Sequence, residues 1–305
     1  MKSPSLSRPF WQSLWQFSRP HTIIGTSLSV WALAFLAATP AQLFGSFGLT
    51  VLGAWLACLA GNVYIVGLNQ LTDIEIDRIN KPNLPLAAGD FSAKTGWWIV
   101  SICAGFALAV SAFSGLWLAV TVWGSLAIGT MYSLPPVRLK RFPLLAAVCI
   151  FSVRGMVVNL GLFAHYRQML GQSVVITPTA WLLTGFIIVF TVAIAIFKDV
   201  PDMEGDRQYQ IQTFTLLLGK QRIFNLSLAI IFGCYLAMIV GALTLETILN
   251  PYLFAIAHVI LSGLLWQRSR TVDLSAKSEI TSFYQFIWKL FFLEYLLFPI
   301  TVWLA

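Results

Sequence analysis

The sequence predicts an all-α polytopic membrane bundle of nine transmembrane helices, and three observations predict it. Hydrophobic residues make up 58% of the 305 positions, with a mean hydropathy of +0.80, which is more apolar surface than a soluble core of this length can bury. That apolar content is divided into runs of roughly 20 residues, the length that crosses a bilayer core. Charged residues are only 10% of the chain and gather between the runs. In hydrocarbon each backbone N–H and C=O has to be bonded within the segment, so runs of this kind are helices. No soluble domain or long linker interrupts them. Residues 1–305 therefore read as a single transmembrane domain, with 1–20 as a cytoplasmic N-terminal segment.

The runs lie near 21–39, 47–71, 95–113, 116–134, 143–164, 179–198, 222–242, 247–267 and 283–304. Their orientation follows from the cations. Lys2, Arg8 and Arg19 precede the first run; Arg78, Lys81 and Lys94 follow the second; Arg138, Lys140 and Arg141 follow the fourth. Lys198, Arg207, Lys220 and Arg222 follow the sixth, and Arg268, Arg270 and Lys277 the eighth, whereas the opposite connections carry only Arg167. The positive-inside rule puts the N-terminus and these connections in the cytoplasm and the C-terminus across the membrane. The net charge of +7 is thereby explained by a lipid bilayer. It implies no nucleic acid, because the cations are scattered over short loops instead of forming one basic face.

The aromatic content of 14%, with 12 Trp, suits rings at headgroup depth or around an apolar cavity. Cys58, Cys103, Cys149 and Cys234 each sit in an apolar run with no C-x-x-C spacing, and read as small core residues. The first 20 residues lack the apolar stretch of a cleaved signal.

Chemistry is expected where charge is densest. Asp73-Ile74-Glu75-Ile76-Asp77-Arg78 and Asp202-Met203-Glu204-Gly205-Asp206-Arg207 both read D-x-E-x-D-R, each directly after an apolar run. Asn69, Asp73 and Asp77 are four apart and would stack along one helical face. Asp199, Asp202 and Asp206, at i, i+3 and i+7, would share another. Four more spans separate the two stretches, so both emerge on one side and can meet over a common cavity. A solvated helix cap accounts for one such patch better than for two. Close carboxylates at a membrane edge repel and need a cation; Mg²⁺ fits, since it takes one or two carboxylates with waters and phosphate oxygens. Arg78, Lys81, Arg138, Lys140, Lys198 and Arg207 stand nearby, so metal ligands and phosphate donors occur together. The ligand this implies is a diphosphate, whose departure metal and cations would assist. A long isoprenoid on the same molecule would lie among the helices.

Tyr132-Ser133-Leu134-Pro135-Pro136-Val137-Arg138-Leu139-Lys140-Arg141 is the third informative segment. Its cations are open to two readings, as topology anchors or as phosphate contacts, and Tyr132 is either an interfacial ring or a substrate contact. Within the runs stand Arg154, His258, Lys289 and Glu294. A charge there costs roughly 2.5–3.5 kcal/mol on insertion scales, so each should have a partner or a cavity. Arg154 has two candidate partners, an acceptor carboxylate or Glu294.

The spacing N-x-x-x-D-x-x-x-D at Asn69, Asp73 and Asp77, the second D-x-x-x-D at Asp202 and Asp206, and nine helices resemble the UbiA superfamily of intramembrane prenyltransferases. The segments Arg19-Pro20-His21-Thr22, Asn80-Lys81-Pro82-Asn83-Leu84-Pro85-Leu86-Ala87, Tyr132 to Pro136 and Phe197 to Asp206 are similar to its homogentisate-prenylating branch. The resemblance implies two substrates, a prenyl diphosphate and an aromatic acid. It implies transfer of a phytyl group from phytyl diphosphate to homogentisate with loss of CO₂, giving 2-methyl-6-phytylbenzoquinol on the route to tocopherol, in the photosynthetic or plasma membrane of a cyanobacterium-like organism. By resemblance the catalytic residues are Asp73, Asp77, Asp202 and Asp206, and the Mg²⁺ ligands are these with Asn69 and Asp199. Arg78, Lys81, Tyr132, Arg138, Lys140, Arg154 and Lys198 are the expected substrate contacts. Arg19, His21, Arg154 and Asn159 are candidates to orient the acceptor. Alternatives are a longer solanesyl chain on the same acceptor, a porphyrin-like acceptor as in chlorophyll synthase, and, in another class, a cation-coupled transporter. Oligomeric state is not legible.

Overall fold

The computed structural model describes residues 8–208 and 213–305; Lys2, counted above among the cations on the first side, lies outside them. Nine long helices occupy the nine expected places among the described residues: α1 Pro20–Ala37, α2 Phe47–Thr72, α3 Ala93–Ser114, α4 Leu116–Ser133, α5 Pro143–Met169, α6 Pro178–Phe197, α7 Lys220–Thr244, α8 Pro251–Ser269 and α9 Lys277–Trp303. Eight are long and apolar enough to cross a membrane by length and composition. The exception is α8, where His258, Gln267 and Arg268 dilute an otherwise apolar run. It nevertheless packs between α7 and α9 as part of the bundle. The protein is an integral, multi-pass membrane protein.

Starts and stops follow local chemistry. Pro20, Pro143, Pro178 and Pro251 open α1, α5, α6 and α8, where a missing N–H costs nothing. Ser92, Thr177 and Asn250 cap α3, α6 and α8 by accepting from the N–H of Thr95, Ala180 and Leu253. Gly115 alone joins α3 to α4 at a φ of 121°, a region that a residue with a Cβ rarely enters.

Helices α1, α2, α4, α5, α6 and α9 form a closed ring in which each packs on the next. Outside it, α3 lies on α2 and α4, while α7 and α8 flank α6 and α9. The most buried of the eight apolar helices is α6, with Phe186, Phe190 and Phe197 fully enclosed against Tyr235, Phe283 and Phe291. The lipid-facing side carries exposed apolar rings and chains, such as Trp98, Ile102, Phe106 and Phe113 on α3. All four cysteines are free. Before α1, the helix Phe10–Phe17 turns Ser13 and Phe17 inward and exposes Trp11 and Trp15, an arrangement that suits the membrane interface.

The ring is open at one end and shut at the other. The second half of α5, Val158–Met169, packs on both α1 and α2. There Leu33, Ala54, Leu118 and Leu162 are all fully buried. Gly161 lies so close to Thr121 of α4 that a Cβ would overlap its hydroxyl. Gly161→Leu is therefore expected to lower the thermal midpoint in detergent, at an overpacking cost of about 1–3 kcal/mol. Gly105→Ala on lipid-facing α3, where a Cβ meets nothing within 4 Å, is expected to leave it unchanged. Equal effects in a thermal unfolding series would contradict this close approach.

Candidate active site

The first acidic stretch does not continue α2 as one straight helix. The helix stops at Thr72, Asp73 adopts φ −124° and ψ 20°, and a short helix, Ile74–Asn80, begins afresh. The Asp77 N–H still donates to the Asp73 carbonyl at 2.8 Å, so the turn is kept. Asn69 Nδ2 donates to Asp73 Oδ2 at 3.3 Å, and the expected stacking of Asn69, Asp73 and Asp77 largely survives the break.

The second stretch departs further from expectation. Asp199 and Asp202 lie in the turns after α6, and only Asp206 stands on the helix Met203–Gln208. Pro201 is the reason: it has no N–H to continue the ladder and disfavours helix at the residue before it. The three carboxylates therefore do not share one helical face. Turns bring them to the same cavity instead.

The two patches meet at one end of the bundle. Asn80 Nδ2 donates to Asp206 Oδ1 at 3.4 Å, and Lys81 Nζ forms an ion pair with Asp202. Lys140 Nζ sits 2.7 Å from Asp73 Oδ2 and also donates to Thr72 Oγ1. Arg138 Nη2 reaches Asp73 Oδ1 at 3.1 Å, Lys198 pairs with Asp199 at 2.9 Å, and Arg19 Nη2 donates to Asn69 Oδ1 at 3.4 Å. Arg19 and Arg138 are the two described residues other than glycine with positive φ, at 53° and 38°. Left-handed backbone at such residues costs about 1–3 kcal/mol each and concentrates at functional sites. Here both strained residues aim a guanidinium at the first acidic patch.

A cavity of about 1400 Å³ opens beneath this rim. Asn69, Asp73, Asp77, Lys81, Tyr132, Arg138, Lys140, Arg154, Lys198, Asp199, Asp202 and Asp206 all line it. Arg78 does not, and its expected role as a substrate contact is corrected. It follows Asp77 by one position, hence about 100° around the helix, and pairs with exposed Glu75 at 2.7 Å. Along α2 the lining runs from Asp73 down to Ala57, roughly 24 Å at ~1.5 Å per residue. The lower wall is largely apolar, with Gly61, Val122, Leu126 and Ile194 and the hydroxyl-bearing Ser29, Thr121 and Ser125 among them, and ends above the buried layer of Leu33, Ala54, Leu118 and Leu162.

Asp77 and Asp206 are only 5% and 7% exposed. Burial pushes the Asp77 carboxyl up to about 6 and the Asp206 carboxyl up to about 7, where Asp199 and Asp202 add to the effect. One oxygen of Asp77, Oδ2, is buried with no hydrogen-bond partner. Among the described residues no three His, Cys, Asp or Glu side chains converge on a ready-made metal position, and Asp73 and Asp202 are engaged by lysine and arginine. The residues nevertheless fit Mg²⁺, which needs only one or two carboxylates when phosphate oxygens complete its shell. A diphosphate would also offer Lys81, Arg138 and Lys140 new partners.

Sequence reasoning missed Thr72 and the bridging role of Asn80. It left Trp288 unremarked, which lines the cavity from α9. Among the intramembrane charges, Glu294 pairs with His258 and not with Arg154. Lys289 faces outward, exposed, against the expectation of a partner or cavity; its long stem lets the ammonium reach toward the interface.

A rim of carboxylates and cations over a deep, largely apolar cavity within a membrane is the form of an enzyme that works on the charged end of a lipid. The chain belongs to the UbiA prenyltransferase family, whose profile matches residues 26–290. It is 60% identical to the homogentisate phytyltransferase of Synechocystis sp., over 96% of each chain. It is 42% identical to the chloroplastic homogentisate phytyltransferase 1 of Arabidopsis thaliana, over 97% of this chain and 78% of that one. The fold matches that of a UbiA homolog from Archaeoglobus fulgidus bound to GPP and Mg²⁺, with a TM-score of 0.65 at 19% identity, over 94% of this chain and 99% of that one. The chain is a prenyltransferase, and the transporter alternative falls.

Because Asp77 and Asp206 hold protons up to about 6 and 7, protons compete with a divalent cation for them. Affinity for Mn²⁺, followed by EPR on protein in nanodiscs, is expected to fall as pH drops from 8 to 5.5. Asp206→Asn should flatten the upper part of that profile. Affinity that does not vary over this range would contradict the assignment.

Proposed function

We propose that the chain transfers a phytyl group from phytyl diphosphate to homogentisate, with decarboxylation, to give 2-methyl-6-phytylbenzoquinol for tocopherol synthesis. The observation that carries this reading is the joining of two acidic patches over one cavity, through Asn80 with Asp206 and Lys81 with Asp202. The two homogentisate phytyltransferases named above lend it support by their near full-length similarity.

Asn69, Asp73 and Asp77 on one side, and Asp199, Asp202 and Asp206 on the other, would hold Mg²⁺, which supplies Lewis-acid stabilisation of the charge on the departing diphosphate. Lys81, Arg138 and Lys140 would leave their carboxylates for phosphate oxygens, so the mouth keeps its charge balance as substrate enters. Fixed donors of this kind act on charge that develops as the carbon–oxygen bond breaks, without reorganising at that moment. The apolar shaft takes the tail, excludes water from the allylic cation, and ends at the layer of Leu33, Ala54, Leu118 and Leu162. A closed floor favours the phytyl chain over the much longer solanesyl chain. The acceptor ring then attacks the allylic carbon, and CO₂ and a ring proton leave. An electron-rich hydroquinone is itself nucleophilic, so a strong protein base is not required.

By the distribution of Lys and Arg, the mouth and the N-terminus face the cytoplasm and the C-terminus lies across the membrane. A photosynthetic or plasma membrane of a cyanobacterium-like organism is the setting this implies.

Purified protein given Mg²⁺, a panel of prenyl diphosphates, and homogentisate or chlorophyllide is expected to yield the phytylated methylquinol by mass spectrometry. A chlorophyll with no quinol, or a dominant solanesyl product, would overturn the reading. Asp73→Ala and Asp202→Ala should each lower kcat by at least ~10²-fold, the scale of losing one fixed electrostatic contact, in protein that still inserts and unfolds cooperatively. Near-normal rates in both would remove the aspartates from the mechanism.

A further inference from the structure

Among the described residues Arg154 is the one cation lining the cavity from the interior of a span. Glu294, the carboxylate within reach of sequence reasoning, is taken: His258 Nε2 lies 3.3 Å from its Oε2, with both side chains fully buried. Among the described residues Arg154 has no acidic partner within ion-pair distance. Its guanidinium instead lies 4.9 Å over the Trp288 ring and 5.8 Å from the Phe291 ring. An unpaired cation inside a membrane is costly and is retained where a ligand completes it.

The backbone is arranged to hold this side chain inward. Residues Ser152–Val157 form a π-helical turn inside α5, a local widening that frees carbonyls and recurs at functional sites. Asn159 Nδ2 donates to the carbonyls of Arg154 and Gly155 at 3.2 and 2.9 Å, and the Tyr295 hydroxyl fixes Asn159 by donating to its Oδ1 at 3.2 Å. On the facing helix, a Cβ at Gly25 would stand 3.3 Å from Arg154 Nη1, so the glycine leaves room for the guanidinium. The guanidinium thus lies level with Gly25, roughly 9 Å along α1 from Arg19 at ~1.5 Å per residue. An interval of that length would take a single-ring acid between the guanidinium and Arg19 at the rim.

We propose that Arg154, backed by Trp288, is the receptor for the carboxylate of an aryl acid acceptor, and that it sets the acceptor ring beneath the allylic carbon. The inference rests on the reading given under Proposed function. Guanidinium and carboxylate match as a two-pronged, charge-assisted pair, and the indole face supports the guanidinium from behind. As the ring carbon bonds to the allylic carbon, the carbon–oxygen bond breaks and its electron pair leaves with diphosphate; the ring carbon then loses its proton. In decarboxylation the bond from methylene carbon to CO₂ breaks, its pair stays on that carbon, and a proton is taken up there to make the methyl group. The product carries no anion, so Arg154 binds acid substrate and releases neutral quinol.

The test compares homogentisate with its methyl ester in wild type, Arg154→Gln and Arg154→Lys, in nanodiscs with Mg²⁺ and phytyl diphosphate. Arg154→Gln should raise the KM for homogentisate about 10–100-fold, the scale of a lost hydrogen bond to a charged group. The KM for phytyl diphosphate and for the ester should stay at wild-type values, Arg154→Lys should recover part of the loss, and thermal midpoints report folding. If wild type turns over homogentisate and Arg154→Gln keeps the acid-to-ester KM ratio, or raises the donor KM instead, the receptor role is wrong. If wild type prenylates only neutral acceptors, the homogentisate reading and the receptor fall together. Should Arg154→Gln fail to fold, an unchanged acid-to-ester ratio in Arg154→Lys overturns the proposal, and a raised ratio supports it.

Discussion

The mouth of the bundle depends on charge held across a gap. Lys81 from the first acidic stretch reaches Asp202 of the second, and Asn80 reaches Asp206. Those contacts tie the segment after α2 to the segment after α6, which chain order separates by more than a hundred residues. Without them two sets of carboxylates would repel at the edge of a low-dielectric slab. With them the same oxygens are kept close, Asp202 paired with Lys81 and Asp206 bonded to Asn80. The ring of six helices below can then stay apolar, because the charge is concentrated at its rim.

Much of this was legible in the sequence, and the physical reasons differ from part to part. The spans were readable because lipid leaves the backbone one solution and demands about 20 residues for it; even α8, the most polar of the nine, lies where its run lies. The meeting of the two acidic stretches followed from counting crossings. Local geometry was harder. Asn69, Asp73 and Asp77 have helical spacing, and nothing in that spacing announces the break at Asp73. Pro201 did announce the end of helix between Asp199 and Asp202, yet periodicity alone reads through it. Arg78 looked like a neighbour of Asp77, but adjacency along a helix turns a side chain away rather than toward. Partner choice was open until packing decided it: His258 and Glu294 close on each other, and Arg154 is left to the cavity.

The two ends of the cavity are built differently. At the rim, positive-φ Arg19 and Arg138 spend backbone strain on aiming cations at the first patch. Deeper, a π-helical turn and the Asn159–Tyr295 link hold one cation where the membrane would otherwise exclude it. Between them lies a length that suits a small aromatic ring.

The most direct measurement is the structure of the protein with Mg²⁺ and a non-hydrolysable prenyl diphosphate analogue. The account requires one diphosphate seated between the patches, with cation density touching carboxylates from both Asp73–Asp77 and Asp202–Asp206, and Lys81 released from Asp202 toward a phosphate oxygen. A diphosphate bound by one patch alone, with Lys81 still paired to Asp202, would contradict it.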